Sequence, residues 1–457
     1  MKRMHLHFIA IGGAIMHQLA INSKLNGNKV TGSDDFIVDP ARSNLASHDI
    51  LPSDLGWDEN RIHADIDAII LGMHAKGDNP ELLKAIQLNI PIYSFPEYIY
   101  KHAEQKQRIV IAGSHGKTTT TSMIMHCLKK AGRDFDYLVG SKVPGFEYSV
   151  RLSDAPLIII EGDEYPASTI DQRPKIHFYH PHIATITGIA WDHINVFPTY
   201  ELYKRQFEIF LEQMNEGQDI IYNAEDKEVV SIIEKDANNL KKWPYKHADY
   251  KLNTETDQIE VLYEDMRYPL AIFGEHNLQN LEAARRVCNL LDIENDFFYK
   301  SMEDFQGAAR RLEQIVMEDD LKIFKDFAHA PSKVTAALNA MRNRYKDYHL
   351  IAVLELHTYS SLNKAFIDTY ENALEAADRA AVYYSSDALR IKRMEAMDPE
   401  FIREAFKQKD LSIFDVPEHL SKWVQKQIDD TSKPVCVLFM SSGNYDQMNL
   451  KFKKTIN

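Results

Sequence analysis

A glycine-rich turn between an apolar run and a helix-patterned segment constrains this fold more than any other feature. The run RIVIA ends at Ala112, Gly113-Ser114-His115-Gly116-Lys117-Thr118 follows, and TTTSMIMHCLKK then continues with amphipathic spacing. Strand, glycine loop and helix in that order open a βαβ unit, and so a parallel sheet whose ligands lie beyond the carboxyl ends of its strands. Backbone N–H groups of such a loop can cradle phosphates, a lysine can reach the terminal phosphates, and a hydroxyl can ligate magnesium. Lys117 and Thr118 suit the last two roles. The general phosphate loop has four residues between its glycines, whereas here only Ser114 and His115 intervene. A purely structural glycine turn is the alternative, and the strand–helix context favours phosphate.

The same alternation recurs along the chain. HLHFIAIGG, KVTGSD and DAIILGMH read as strands of a first unit, with IPIYSF a further one before the helix-like PEYIYKHAEQK; the charged stretch from His102 to Arg108 reads as a linker. A second unit runs from RIVIA through LIIIEGDE and IATITGIAWDH, and a third begins near Arg310 with KIFKDFAHAP, HLIAVLELHT, AAVYYSS and PVCVLFMSSG as strands. Residues 251–270 read as a small antiparallel addition. A chain of 457 residues exceeds what one core sustains. The expected class is therefore α/β with domains over 1–105, 106–308 and 309–457: Rossmann-like, phosphate-loop and α/β respectively.

Charge and cysteine usage exclude several functions. A net charge of -14 argues against a nucleic-acid duplex as the main partner. Cys127, Cys288 and Cys436 are too dispersed for a zinc cluster or a disulfide framework, which suits a reducing cytoplasm. The apolar N-terminal run is short, interrupted by His5 and His7, and ends in glycines, so it reads as a buried strand rather than a secretory signal. No stretch approaches the roughly 20 apolar residues of a membrane span.

Two further clusters point to chemistry. Leu157–Ile160 runs into Glu161-Gly162-Asp163-Glu164, and an acid at the end of a buried strand beside a phosphate loop can hold magnesium, with Glu161 the first choice. Asp192-His193 follows IATIT, where an imidazole could ligate metal with a carboxylate fixing its tautomer; a lone histidine is more often structural. Met16, Leu19 and Ala20 have core spacing, and Tyr383 and Tyr384 read as packing.

The ordered set GSHGKTTTT, IEGDEYPAS, DHINVF, GEHNLQN, AARRLE and KDFAHAP resembles the Mur ligases over nearly the whole chain. Gly12-Gly13 and TGSD resemble the branch acting on UDP-N-acetylmuramate. VPGFEYSVRL and GMHAKGDNP are most similar to the murein peptide ligases, which take a recycled L-alanyl-γ-D-glutamyl-diaminopimelate tripeptide, with L-alanine-adding ligases next. The resemblance implies a three-domain enzyme using ATP and Mg2+ to form an acyl phosphate that an amine then displaces. It implies catalytic roles for Lys117, Glu161 and His193, and metal binding by Thr118, Glu161 and His193. ATP would contact Gly113, Ser114, His115, Gly116, Lys117, Thr118, Thr119, Asn277, Asn280, Arg311 and Asp326. The UDP-sugar would contact Gly12, Gly13, Ser33, Asp34 and His74. Helix capping and surface ion pairing are the bland readings for the asparagines and for Arg311.

Several positions depart from the family pattern. Gly188-Ile189-Ala190 replaces an Asn-Ile-Glu or Asn-Leu-Glu run, Lys325 an acid, and Ala330 the second of two adjacent histidines, while His329 remains. Leu356-His357-Thr358 replaces Pro-Arg-Ser, and Ser442-Gly443-Asn444 replaces a glycine-rich ending. Phe207 stands where other branches carry a carbamoylated lysine. That resembles the muramate-acting branches, which lack the modified lysine, and argues against D-glutamate- or diaminopimelate-adding ligases, while the changes at Lys325, Ala330, 356–358 and 442–444 fall where the amino substrate is expected.

Overall fold

The computed structural model describes residues 3–253, 258–307, 312–392, 394–408 and 410–454. The chain divides into two compact units: Met1–Ile189 with Lys204–Lys246 and Asn280–Glu303, and Ala190–Tyr203 with His247–Gln279 and Asp304–Asn457.

The first unit contains two sheets. In the smaller one, strand His5–Ile9 lies between Lys29–Ser33 and Ala68–Leu71, with Ile92–Ser94 outermost and every pair parallel. Strands buried on both faces read as continuous apolar runs, as Ala68–Leu71 does, whereas His5–Ile9 is buried throughout with two histidines whose rings hydrogen-bond the Thr31 hydroxyl. Helix Ala14–Leu25 leaves Gly13 and buries Met16, Leu19 and Ala20. Helix Phe95–Ala103 starts in a capping box: Ser94 accepts the Glu97 N–H, and the Glu97 carboxylate accepts the Ser94 N–H at 2.7 Å.

The larger sheet has the order Lys241–Tyr245, Asp219–Asn223, Ile183–Ile186, Gln107–Ala112, Leu157–Glu161, Asp136–Leu138, Val150–Arg151. All pairs are parallel except the last. Gln107–Ala112 is central, and the chain crosses from it over Leu157–Glu161 to Asp136–Leu138. That change of direction opens a crevice at the carboxyl ends of the strands, where open α/β sheets bind ligands.

Residues 102–108 are packed structure rather than a loose linker. Lys106 is buried, with Nζ 2.6 Å from both Asp136 and the Ser153 carbonyl, and Arg108 donates to the carbonyls of Tyr179, His180, Ala103 and Glu104. Fully partnered charges can be buried, and that pairing was invisible in a charged stretch of seven residues.

The second unit carries an antiparallel sheet, Tyr250–Asn253, Gln258–Tyr263 and Met266–Leu270, where the mixture of polar and β-favouring residues over 251–270 indicates one. Its main sheet has the order Glu313–Met317, Leu321–Asp326, Val435–Met440, His349–Leu356, Arg379–Tyr384, Ser412–Phe414. Only the first pair is antiparallel. Ile323, Ile351, Val353, Val437 and Phe439 form its core with Leu420, Val424 and Ile428 of helix Pro417–Asp429. Tyr383 and Tyr384 are buried, as expected of packing residues.

Candidate active site

The glycine loop closes strand Gln107–Ala112 and delivers the chain into helix Lys117–Lys130. Two of its residues must be glycine. Gly113 has φ +133, and a Cβ there would lie 2.2 Å from the Thr187 hydroxyl; Gly116 has φ +79, and its Cβ would lie 2.3 Å from Asn280 Oδ1. The loop is thus pressed against strand-end residue Thr187 and against Asn280. Thr187 donates to the Ala112 carbonyl at 3.1 Å and also to the His115 carbonyl, and the Ser114 N–H donates to the Gly188 carbonyl at 2.9 Å.

Four side chains, Lys117, Thr118, Glu161 and Glu164, converge beside this loop. Lys117 Nζ lies 2.7 Å from the Glu164 carboxylate and also donates to the Gly113 carbonyl. Burial alone would depress the ammonium, but Glu164, Asp163 and Glu161 outweigh it and raise Lys117 above its ordinary value. The Thr118 hydroxyl donates to Glu161 Oε1 at 2.8 Å, and Glu161 Oε2 accepts the Gly140 N–H at 2.8 Å. Thr119 is buried on the same first helical turn. A charged lysine, a hydroxyl and a carboxylate at the end of adjacent strands suit a polyphosphate and a hard divalent cation, which prefers oxygen ligands.

The departure at Gly188 has a local cause. Any Cβ there would come 2.3 Å from the His115 ring, so the loop histidine and the glycine fit as a pair. The adjacent Ile189 N–H donates to Asp226 at 2.9 Å, and the Asn223 amide donates to the Thr187 carbonyl at 3.2 Å. Phe207 is fully buried in helix Tyr200–Glu212, a packing role that no modified lysine could share.

In the smaller sheet, Gly12, Gly13, Ser33 and Asp34 gather at adjacent strand ends. The Gly12 N–H donates to Asp34 at 2.7 Å, while the Ser33 hydroxyl donates to the buried Glu81. Burial raises the Asp34 carboxyl, against the opposing N–H donors of Gly12 and Phe36. His74 is exposed at the end of strand Ala68–Leu71.

The second unit holds the remaining candidates. His193 has φ 56, and its N–H bonds to the side chain of Asp192 at 2.8 Å. Burial would raise the Asp192 carboxyl, but Lys333 at 3.5 Å, His193 and His329 prevail and hold it well below the usual carboxylate range. Tyr370 donates its hydroxyl to the His329 carbonyl. Asp326 is buried and accepts the N–H groups of Leu312 and Ala328, each at 2.7 Å, so its carboxylate shapes the backbone on either side. Lys325 stands opposite Glu313 in the antiparallel register, an opposite-charge cross-strand pair. Ala330 starts helix Pro331–Arg344 without a side-chain cap.

Helix Glu275–Leu290 carries both asparagines: Asn277 donates to the Phe273 carbonyl at 2.8 Å, and Asn280 faces the glycine loop. Arg311 lies outside the described residues. The sequence had not distinguished Glu164 as the partner of Lys117, nor suggested Thr187, Asp226 or Lys333. Glu164 was within the quoted acidic motif, but Lys333 carried no signal beyond a position early in a helix.

Comparison with known proteins covers the chain almost end to end. Three family models match in order: Mur ligase family, catalytic domain, over residues 5–107; Mur ligase middle domain over 111–288; and Mur ligase, glutamate ligase domain, over 310–443. A UDP-N-acetylmuramate--L-alanine ligase of Sulfurihydrogenibium sp. is 31% identical over 385 residues, covering 82% of each chain. The crystal structure of a murein peptide ligase from Psychrobacter arcticus aligns with a TM-score of 0.67 and 21% identity over 97% of both chains. That of a UDP-N-acetylmuramate-alanine ligase from Thermotoga maritima aligns at 0.69 and 19% identity, covering 98% of this chain and 97% of that one.

Proposed function

Since the chain belongs to the Mur ligase family of ATP-dependent carboxylate–amine ligases, with its three-domain α/β architecture, we propose that it joins the carboxylate of UDP-N-acetylmuramate to an amine through an acyl phosphate. The observation that carries this reading is the charged Lys117 held beside Thr118 and Glu161 at the glycine loop.

The residues suit ATP and magnesium. The donor set formed by Thr118 and Glu161 is all oxygen, which fits Mg2+, and His193 is assigned as a further ligand by family position. Magnesium, when bound, would neutralise charge on the transferred phosphoryl group. Gly113 and Ser114, the latter with its N–H held by the Gly188 carbonyl, shape the loop, the N–H groups of His115 and Gly116 bind phosphate oxygens, and Lys117 exchanges Glu164 for the terminal phosphate. Thr119, Asn277, Asn280, Arg311 and Asp326 complete the assigned nucleotide contacts. Gly12, Gly13, Ser33, Asp34 and His74 bind the UDP-sugar. The corresponding domains are 1–105 for UDP-sugar, 106–308 for ATP and 309–457 for ATP and the amino substrate.

For the amine we favour a recycled murein tripeptide, on the resemblance of VPGFEYSVRL and GMHAKGDNP to murein peptide ligases. The second reading, L-alanine, is favoured by the 31% identity to a UDP-N-acetylmuramate--L-alanine ligase. Either reaction belongs in the cytoplasm, where ATP is; three free cysteines suit a reducing compartment, and no described helix is long and apolar enough to cross a membrane.

The test is magnesium-dependent ADP release from ATP with UDP-N-acetylmuramate, comparing L-alanyl-γ-D-glutamyl-diaminopimelate with L-alanine and weighing the product by mass spectrometry. Faster turnover with the tripeptide supports the first reading and preference for L-alanine the second. No ligation with either, despite bound ATP, rejects both.

A further inference from the structure

The carboxyl edge of the six-stranded sheet holds polar groups that the assignments above leave without a role. Glu355, near the end of strand His349–Leu356, is 1% exposed. Its Oε2 accepts the Ser441 hydroxyl and, at 2.9 Å, the Tyr445 N–H. Its other oxygen, Oε1, is buried without a hydrogen-bond partner and lies 3.7 Å from His357 Nδ1, which is also buried and unpartnered. The His357 side chain as a whole is 36% exposed, so the far side of the ring, with Nε2, is the accessible one.

The neighbouring backbone is shaped around this pair. A Cβ at Gly443 would come 2.8 Å from the His357 ring and 2.9 Å from Glu355 Oε2, so the glycine leaves room for both. Tyr445, Asp446 and Gln447 follow with φ of 52, 50 and 65, three consecutive non-glycine residues in the left-handed region. Such strain persists where the surroundings over-determine it, and it clusters at functional sites. Here the turn aims the Tyr445 N–H at Glu355. The Tyr445 hydroxyl reaches the Val353 and Met440 carbonyls, each at 2.9 Å, and Tyr383 donates to Asp446 at 2.6 Å.

A buried carboxylate oxygen without a donor is costly. That cost falls when the adjacent imidazole carries a positive charge. A proton accepted at Nε2 places charge on the ring beside Oε1, and a carboxylate behind a histidine fixes which ring nitrogen faces the reacting group, so Glu355 orients the ring. We propose that Glu355 is a positioning residue and His357 Nε2 the base that receives the proton of the incoming amine.

This inference rests on the ligase reading. The amine nitrogen attacks the carbonyl carbon of the acyl phosphate and a C–N bond forms. The C–O bond to phosphorus-bearing oxygen breaks, inorganic phosphate leaves with the electron pair, and the proton released by nitrogen passes to Nε2. Formation of the acyl phosphate does not need the pair.

That separation defines the experiment. The full chain, ATP, magnesium and UDP-N-acetylmuramate are supplied either with the preferred amino substrate or with hydroxylamine, a strong nucleophile that is largely unprotonated at neutral pH and traps the acyl phosphate as a hydroxamate. His357→Gln is expected to lower amide formation about 100-fold while hydroxamate formation stays within about twofold, the scale of general-base assistance. Glu355→Gln can still accept from Ser441 and Tyr445, and is expected to lower kcat for amide formation about tenfold with the KM of the amine and hydroxamate formation nearly unchanged. Amide formation by His357→Gln within about threefold of wild type, or loss of both products in parallel, would overturn the proposal. A wild-type chain that forms no hydroxamate instead defeats the ligase reading, and this inference with it.

Discussion

The carboxyl edges of the two large sheets solve the same problem differently. At the seven-stranded sheet the charged groups beside the glycine loop are partnered, Lys117 on Glu164, Thr118 on Glu161, and Glu161 on the Gly140 N–H, and the buried groups left without partners are neutral hydroxyls, such as those of Ser141 and Thr185. At the six-stranded sheet Glu355 Oε1, His357 Nδ1 and Ser442 Oγ are buried without partners. The first arrangement stores a cation and its counter-charge together, so a ligand must out-compete Glu164 for Lys117, which a polyphosphate with more negative charge can do. The second leaves polar groups unpaired and bears the desolvation cost in the resting state. A paired site selects by exchange, whereas an unpaired one is arranged for a charge that appears only during reaction.

The largest expected effect lies on the paired side. Lys117→Ala should lower ligation turnover about 100- to 1,000-fold, as loss of a charged clamp on a transferred phosphoryl group does. Steady-state ADP release measures it, and turnover within a factor of about two of wild type would remove Lys117 from the phosphate site. Next comes Gly113→Ala, where a positive φ and a Cβ 2.2 Å from the Thr187 hydroxyl coincide. It should cost about 2–3 kcal/mol in urea unfolding. Gly443→Ala sharpens the contrast: its Cβ would meet the partly exposed His357 ring at 2.8 Å, which can swing away, and the buried Glu355 Oε2 at 2.9 Å, which is held by Ser441 and Tyr445. The stability cost should be about 1–2 kcal/mol, below that of Gly113→Ala because no positive φ adds to it, while amide formation falls because the ring leaves Glu355. Equal stability losses for the two alanines would show that the second edge is packed as rigidly as the first.

What could be read from the sequence follows the same division. The glycine loop was legible because its chemistry is local: strand, turn, lysine and hydroxyl are contiguous, and the constraint at Gly113 and Gly116 is a backbone requirement that few residues meet. Strands such as Leu157–Glu161, apolar up to its final acid, and Val435–Met440 were legible as apolar runs, and the antiparallel segment over 251–270 by its mixture of polar and β-favouring residues. Pairings across long sequence separations were not. Residues 102–108 read as a linker because a charged run is usually solvated, yet Asp136 and the carbonyls of Ser153 and Ala155 take up Lys106. The Gly188 departure looked like a lost amide until His115 was found against it. Glu355 carried no signal at all, since an acid near the end of an apolar strand is compatible with many surroundings. Its meaning comes from Ser441 and Tyr445, about 90 residues away.

The smallest effect separates three buried imidazoles of the first unit from the Asp192 cluster of the second by acid. In the first unit, burial lowers His17, His102 and His177, with the carbonyls of Gly13, Ser153 and Gln206 respectively opposing it in part. A histidine whose folded value is depressed stabilises the fold above its unfolded value, about 6.5, and loses that contribution as pH falls through the window below it. In the second unit, burial opposes ionisation of Asp192, but Lys333, His193 and His329 hold its carboxyl down. Its contribution is present above the unfolded carboxylate value, about 3.9, and is lost only below that, as pH falls toward the folded value. Hydrogen exchange read by mass spectrometry between about pH 7 and about pH 5.5, corrected for intrinsic rates, should therefore show protection falling around His17, His102 and His177 and holding around Asp192. Protection falling first at Asp192 would mean that its cluster is not held by the charges that surround it, and the contrast between a resting charge pair and a buried neutral ring would fail there.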